Sequence, residues 1–522
     1  MKHRTALAAV LCAVLAAGCS TSAAARPARP PRPSRSAAIK NPAGPPPTTL
    51  AGYYAQRLRW VTCDKVFRCA RLLVPFDYSR PAWRRFSLPV IELPASHPAE
   101  RIGALLVNPG GPGGSGVAYA LQARSEIAAA VRARFDIVGF DPRGVGGSQP
   151  AVHCLTGPQL DTYFATDDMP TSAAQDGPIV AESKLFAQGC ERNSGALLRY
   201  VGTENAARDM DVLRAALGQA KLTYLGKSYG TYLGTWYARL FPSHVRALVL
   251  DGAIDPASSG LSMNAAQAQG FEVALRAFIA NCQAVAGCPL GHAGVAGGLA
   301  RIQSLLARAT AHPLANELDS QPANGAMLLN GIATALYNQA YWGTLRSALA
   351  AAFGGNGTVL VELANALFER SSSGQYSNLA DAETAVDCLD RPWPRSLAAW
   401  RSAAAAAGRA APVFGQAIMW GSLACAYWPA PSNPRPGRRR GSGGRAVLAA
   451  GAPPILVVGN LRDPATPYRW ARSLARDLAS GVLLGWDGNG HTAYMMGSSC
   501  VDNAVNKYLI SLAVPRSGTV CQ

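Results

Sequence analysis

The sequence predicts an α/β fold in which a mostly parallel central sheet, flanked by helices, is interrupted by an inserted, mainly helical cap domain. Three observations predict it. From about residue 70, short β-rich apolar runs alternate with helical stretches, the pattern of a sheet covered by helices. Several of these runs end in glycine-rich turns. The strand signals stop near residue 258 and return at Pro454, with an Ala-rich helical block between them.

Taken in order, residues 102–107 form a buried strand ending in Asn108-Pro-Gly-Gly-Pro-Gly-Gly-Ser-Gly116. The next strand, 135–140, ends in Asp141-Pro-Arg-Gly144. Residues 204–217 carry Ala206, Met210, Leu213 and Leu217 at the spacing of an amphipathic helix. A strand at 222–225 then meets the turn Gly226-Lys-Ser-Tyr-Gly230, followed by a helix to about Leu240 and a strand at 246–250. After the helical block come strands at 455–458 and 482–484 and a closing helix near 501–512. The expected organisation is a signal peptide at 1–18, a Pro/Ala/Arg-rich tether at 19–50, core at 51–257, cap at 258–451 and core again at 452–522. No internal repeat is visible.

The N-terminus predicts export. Lys2, His3 and Arg4 precede an apolar run from Ala6 to Ala17, a signal peptide too short to span a bilayer. Leu15-Ala-Ala-Gly-Cys19 resembles a lipobox, so Cys19 is the expected lipidation site and the membrane, through that anchor, an expected partner. Leu15 sits one place earlier than the commonest pattern, and secretion without a lipid is the alternative. The expected location is the cell envelope as a membrane lipoprotein, with extracellular release as the variant.

Ten cysteines remain beyond Cys12 and Cys19, and disulfides belong to oxidising compartments. Joining neighbours gives Cys63–Cys69, Cys154–Cys190, Cys282–Cys288, Cys388–Cys425 and Cys500–Cys521; sequence alone does not fix the connectivity. A zinc site is the rival reading, but no Cys-x2-Cys pair occurs and no His stands at ligand spacing.

A net charge of +18 raises the question of nucleic acid. Its distribution argues against that: seven Lys/Arg lie in the first fifty residues and five Arg within 435–445, with no basic stripe interleaved with aromatics. The 435–445 run reads as a solvated loop, with a docking patch for an acidic protein as the alternative.

The chemistry concentrates in a few residues. Gly226-Lys-Ser228-Tyr-Gly230 fits G-x-S-x-G between a strand and a helix, where a nucleophilic serine sits on a sharp, strained turn. A serine needs a base, and the base an orienting carboxylate. His244, His292, His312 and His491 follow Ser228; His491 lies after the last strand signal and is the expected base. Asp463, after the strand at 455–458, is the expected acid, with Asp487 as competitor. Oxyanion donors are expected from the Tyr229 amide and, within the glycine loop, from Gly111. No G-x-x-x-x-G-K-[ST] run supports a phosphate loop. The reading requires no metal and no organic cofactor.

Asn108-Pro-Gly-Gly-Pro-Gly, Phe140-Asp-Pro-Arg-Gly-Val-Gly-Gly-Ser148, Leu225-Gly-Lys-Ser-Tyr-Gly-Thr-Tyr-Leu-Gly234, Asp463-Pro-Ala-Thr-Pro467 and Gly488-Asn-Gly-His491 together resemble the tripeptidyl-aminopeptidase branch of the proline-iminopeptidase-like serine hydrolases. The similarity extends from about residue 50 onward and is greatest to mycobacterial cell-envelope proteases and carboxylesterases. It implies an α/β-hydrolase core, a helical cap over the site and attack on a peptide bond near a free N-terminus. Pro109 stands where the proline-iminopeptidase loop carries His, which argues against strict preference for N-terminal proline. An aminopeptidase needs a carboxylate for the substrate ammonium; Glu204 is the candidate, against a plain helix-N-terminal acid. Thr466 is a candidate buttress of the acid–base pair, against an ordinary turn residue. The expected substrate is a peptide or protein; esterase action and a non-catalytic envelope-binding role are the alternatives, and oligomeric state is left open.

Overall fold

A computed structural model describes residues 45–170, 172–433, 439–440 and 446–522. The signal peptide, Cys19, nearly all of the tether and most of the 435–445 run lie outside the described residues. Among the described residues, no helix is long and apolar enough to cross a membrane.

Ten strands form one sheet: β1 (Val61–Asp64), β2 (Phe67–Pro75), β3 (Arg85–Leu93), β4 (Gly103–Asn108), β5 (Phe135–Phe140), β6 (Leu222–Lys227), β7 (Val245–Asp251), β8 (Ile455–Arg462), β9 (Gly481–Asn489) and β10 (Thr519–Cys521). Their order is β1-β2-β3-β5-β4-β6-β7-β8-β9-β10. The pairs β1/β2, β2/β3 and β3/β5 are antiparallel and every later pair is parallel. This is an α/β-hydrolase fold.

The unbroken apolar runs follow from helices on both faces. Along β4, Leu105 and Val107 join one core and Ala104 and Leu106 the other, because successive strand side chains point to opposite faces. Helices Thr203–Ala216 and Tyr229–Leu240 cover one face, through Met210, Leu213 and Trp236. Gly116–Leu121 and Ser499–Ser511 cover the other, through Tyr119, Val501 and Val505.

β7 and β8 are direct neighbours, with Val249 opposite Leu456, although some two hundred residues separate them in the chain. That excursion is helical. Gly260–Gln283, Gly294–Ala311, Gly325–Leu336, Trp342–Phe353 and Thr358–Leu367 pack into a core of their own around Phe278, Leu306, Ile332, Leu345 and Leu360. Helix Leu379–Asp390 drops back onto the main core through Ala385 and Val386.

A second excursion joins the cap from earlier in the chain. Helices Gly157–Ala165 and Gly177–Ser194, tied by Cys154–Cys190, bring Phe164 into a stack on Phe368 at 3.7 Å and Asp161 to Arg370 at 2.7 Å. The sequence reading assigned this stretch to the core. The remaining disulfides are Cys63–Cys69, Cys282–Cys288, Cys388–Cys425 and Cys500–Cys521.

Candidate active site

The crevice between β4 and β6 is where the strand order reverses, the place at which open α/β sheets gather ligands at their carboxyl ends. Ser228 stands at the end of β6 with φ 55° and ψ −124°, a conformation that costs a non-glycine residue about 1–3 kcal/mol. Its amide donates to the Asp251 carbonyl at 2.8 Å, and its carbonyl accepts from the Thr231 hydroxyl. The flanking glycines are required by contact: a Cβ on Gly226 would stand 2.4 Å from the Gly230 carbonyl oxygen.

The glycine loop after β4 closes on this turn. A Cβ on Gly110 would lie 2.7 Å from the Lys227 carbonyl oxygen and 3.2 Å from the Tyr229 amide nitrogen. The loop backbone and the Tyr229 N–H therefore share one small space, with Gly111 next along the loop. Asp141 anchors the helix that follows, accepting from the Ser115 hydroxyl at 2.6 Å and the amides of Val117 and Gly147. The Tyr229 phenol meets Thr203, whose hydroxyl also reaches Asp390, so the elbow helix is pinned to helix Leu379–Asp390.

His491 and Asp463 come from the loops after β9 and β8. His491 Nδ1 lies 2.8 Å from one Asp463 oxygen and 3.1 Å from the other. The carboxylate is fully enclosed and also accepts from the amides of Ala465, Thr466 and Thr492. The Thr466 hydroxyl stands 3.3 Å from His491 Nδ1. From the cap, Tyr337 sets its ring edge-on to the imidazole and accepts the His491 amide at 2.8 Å. Asp487, the competing acid, is held by Arg462 at 2.6 Å. His244 bonds Asp211, and His292 reaches the Gln283 carbonyl.

Ser228, His491 and Gly111 line one cavity of about 540 Å³ between core and cap. Its cap walls are apolar, with Phe271, Leu329, Phe414 and Ile418, and three carboxylates also line it: Glu126, Asp168 and Glu383. Glu126 is paired with Lys227 at 3.1 Å. Glu383 has no hydrogen-bond or ion-pair partner among the described residues; its side chain is exposed to the cavity, and the surrounding protein, with Asp387 behind it, pushes its carboxyl up to about 8. One oxygen of Asp168 is likewise unpartnered, and burial beside Asp167 raises that carboxyl to about 7. Glu204 is not brought to the cavity. It sits in the first turn of its helix, paired with Arg208 at 2.9 Å, as expected of an acid favoured there by the helix dipole.

The chain is 38% identical over 468 residues to serine protease Hip1 of Mycobacterium tuberculosis, covering 87% of each chain. Carboxylesterase B of the same species is 37% identical, covering 87% of this chain and 86% of its own. The tripeptidyl aminopeptidase of Streptomyces coelicolor is 32% identical, covering 88% and 83%. Residues 411–521 match the family model described as TAP-like protein. The chain belongs to the TAP-like serine hydrolases.

For a TAP-like serine hydrolase, the residues that the sequence reading missed are those of the cap. Glu383, Tyr337 and Asp168 carry no motif. Glu383 stands on a helix with acids at 381, 383, 387 and 390, a pattern that on sequence alone describes a solvated face.

Proposed function

We propose that this TAP-like enzyme is an exported serine peptidase that cuts peptide bonds near a free N-terminus, with Ser228, His491 and Asp463 as its triad. His491 takes the Ser228 proton as the hydroxyl attacks the carbonyl carbon. The amides of Tyr229 and Gly111 hold the oxyanion, and His491 returns the proton to the leaving amine. Water then deacylates the serine by the same route, while Asp463 keeps the imidazole oriented and Thr466 steadies the pair.

The observation that carries the free-amine reading is Glu383: a carboxyl without a hydrogen-bond or ion-pair partner among the described residues, lining the same cavity as Ser228. A carboxylate that the cavity walls partly desolvate gains from a cation placed beside it. A substrate ammonium is that cation. Glu383 takes the place that the sequence reading gave to Glu204. Hydrolysis by the tether-free protein, with Ser228→Ala as control, tests the reading on a free-amine tripeptide amide, its N-acylated twin and a short-chain ester. Preference for the free amine that fades in Glu383→Gln is the expected result. Equal cleavage of the blocked peptide means endopeptidase action; turnover of the ester alone means a carboxylesterase.

Export is supported by the basic and apolar N-terminal pattern and by five disulfides, which belong to an oxidising compartment. Cys19 is the proposed lipid attachment point. Incorporation of labelled palmitate that disappears in Cys19→Ser tests it.

A further inference from the structure

A second polar cluster in the same cavity plays no part in the mechanism above. Tyr119, Glu126 and Lys227 all line it, and each is less than a tenth exposed, at 7%, 3% and 7%. Lys227 Nζ bonds one oxygen of Glu126 at 3.1 Å and stands 5.8 Å from the centre of the Tyr119 ring. The other Glu126 oxygen has no hydrogen-bond partner among the described residues, and the Tyr119 hydroxyl lies toward the Lys227 ammonium. An ammonium has three donors, and Glu126 supplies the hydrogen-bond acceptor for one of them. The cavity therefore offers a spare acceptor on Glu126 and a spare donor on Lys227, whose charge is held between Glu126 and Asp251.

The place of this cluster relative to Ser228 follows from the His491 loop. His491 gives its proton to the leaving group, so the leaving group departs beside that loop. Thr492 and Met496 of the loop line the cavity. The Tyr494 hydroxyl accepts the Ala128 amide, two residues from Glu126. Asp251 accepts the amides of Ala493 and Tyr494 and feels the charges of both Lys227 and His491.

We propose that Tyr119, Glu126 and Lys227 form a leaving-side subsite that grips a primary carboxamide carried by the leaving group. Lys227 donates to the amide oxygen and Glu126 accepts its N–H, with Tyr119 closing the edge. A leaving group bearing a primary carboxamide satisfies all three, because one of its N–H bonds lies on the same side as its oxygen, whereas in a trans peptide the two point apart. A simple alcohol leaving group would strand the buried Glu126 oxygen, and an orphaned buried acceptor costs about 1–3 kcal/mol, roughly five- to a hundredfold in rate. The subsite thus supplies a discrimination between carboxamide-bearing leaving groups and plain alcohols that the triad lacks. The proposal rests on the Ser228–His491 mechanism and is independent of the Glu383 reading.

The test uses two esters of one free-amine tripeptide, so that either a peptidase or an esterase can turn them over. One leaving group is glycolamide; the other is its near-isostere hydroxyacetone, with methyl replacing NH2. Wild type is expected to prefer the glycolamide ester at least tenfold in kcat/KM. Tyr119→Phe should reduce the ratio. In Glu126→Gln, Lys227 claims the carbonyl oxygen and an NH2 turns to the subsite, so the ratio should fall to near one. If that variant folds poorly, the pair Glu126→Leu with Lys227→Met removes both charges together and should give the same loss of ratio. A purely structural role would lower both rates alike. A wild-type ratio near one, or a ratio unchanged in the variants, overturns the subsite. Turnover of neither ester overturns the Ser228 mechanism and the subsite with it, whereas loss of the free-amine preference alone overturns only the Glu383 reading.

Discussion

At the scale of single residues, the site is a set of side chains held by more bonds than their own loops could supply. Asp463 accepts from three backbone amides besides the imidazole, on both of its oxygens, so in Asp463→Asn the new NH2 faces a backbone donor, lowering stability, and fixes the wrong imidazole tautomer. A loss of about 10⁴-fold in kcat is expected by analogy with other triads. Ser228→Ala should lower kcat by at least about 10⁴-fold, with the melting temperature kept. Ser228→Gly should do the same to turnover yet raise the melting temperature, because glycine occupies φ 55° without the penalty that serine bears. Calorimetry on the two variants separates these outcomes; a Gly variant no more stable than Ala would show that the elbow stores no strain. As candidates, Ser228, His491 and Asp463 were legible because each follows a readable strand and their order along the chain is constrained; the structure brings His491 and Asp463 into contact and places Ser228 and His491 on one cavity. Gly111 and Tyr229 were legible as backbone neighbours of those positions. Glu383 and Tyr337 were not, since nothing local tells a residue on an acidic or aromatic helix that its side chain will face a cavity built by other segments.

At the scale of elements, helix Leu379–Asp390 joins cap to core. It presents Glu383 to the cavity, packs its first turn on the glycine loop at Gly113 and reaches Tyr229 through Asp390 and Thr203. Cys388–Cys425 fastens its far end to the segment that follows. Replacing both cysteines by serine should cost about 2–4 kcal/mol. It should also raise KM for free-amine peptides more than for blocked ones, since the Glu383 carboxylate then wanders. An unchanged KM ratio would mean that the helix is held by packing alone. Six of the ten strands were readable to within a few residues, while β1, β2, β3 and β10 were not assigned; β8 and β9 run further than their apolar runs, to Arg462 and Asn489. Their last residues are polar because they line the loops of the site, and polarity hid them. The 157–194 helices were invisible as cap elements because their partners, Phe368 and Arg370, stand some two hundred residues later.

At the scale of the whole molecule, the cap and its seam gather carboxyls whose ionisation burial opposes. Asp168, Asp381 and Asp387 are pushed up to about 7 and Glu383 to about 8. Between the unfolded carboxyl range near 4 and these values, the folded chain binds more protons than the unfolded one. Stability should therefore fall as pH rises from about 5.5 to about 8. A melting temperature higher at the acidic end, by at least about 2 °C, is the expected result, and a flat or rising profile would contradict it. In activity, KM for a free-amine peptide should improve as Glu383 ionises toward pH 8, while the N-acylated twin shows no change over that window. The architecture itself was the most legible level, because a parallel sheet buried on both faces writes long apolar runs into the chain.

The separation of β7 from β8 along the chain has a temporal side. Synthesis delivers Ser228 early and His491, its proposed base, only after the whole helical excursion has been made. Until β8 docks beside β7, the serine has no imidazole and is an ordinary alcohol. The newborn chain is thus chemically inert toward its neighbours, and competence arrives with closure of the sheet. Trapping by a fluorophosphonate during refolding would then report the moment of closure: a labelling curve that tracks recovery of native tryptophan fluorescence fits this timing, and one that runs ahead of it excludes it.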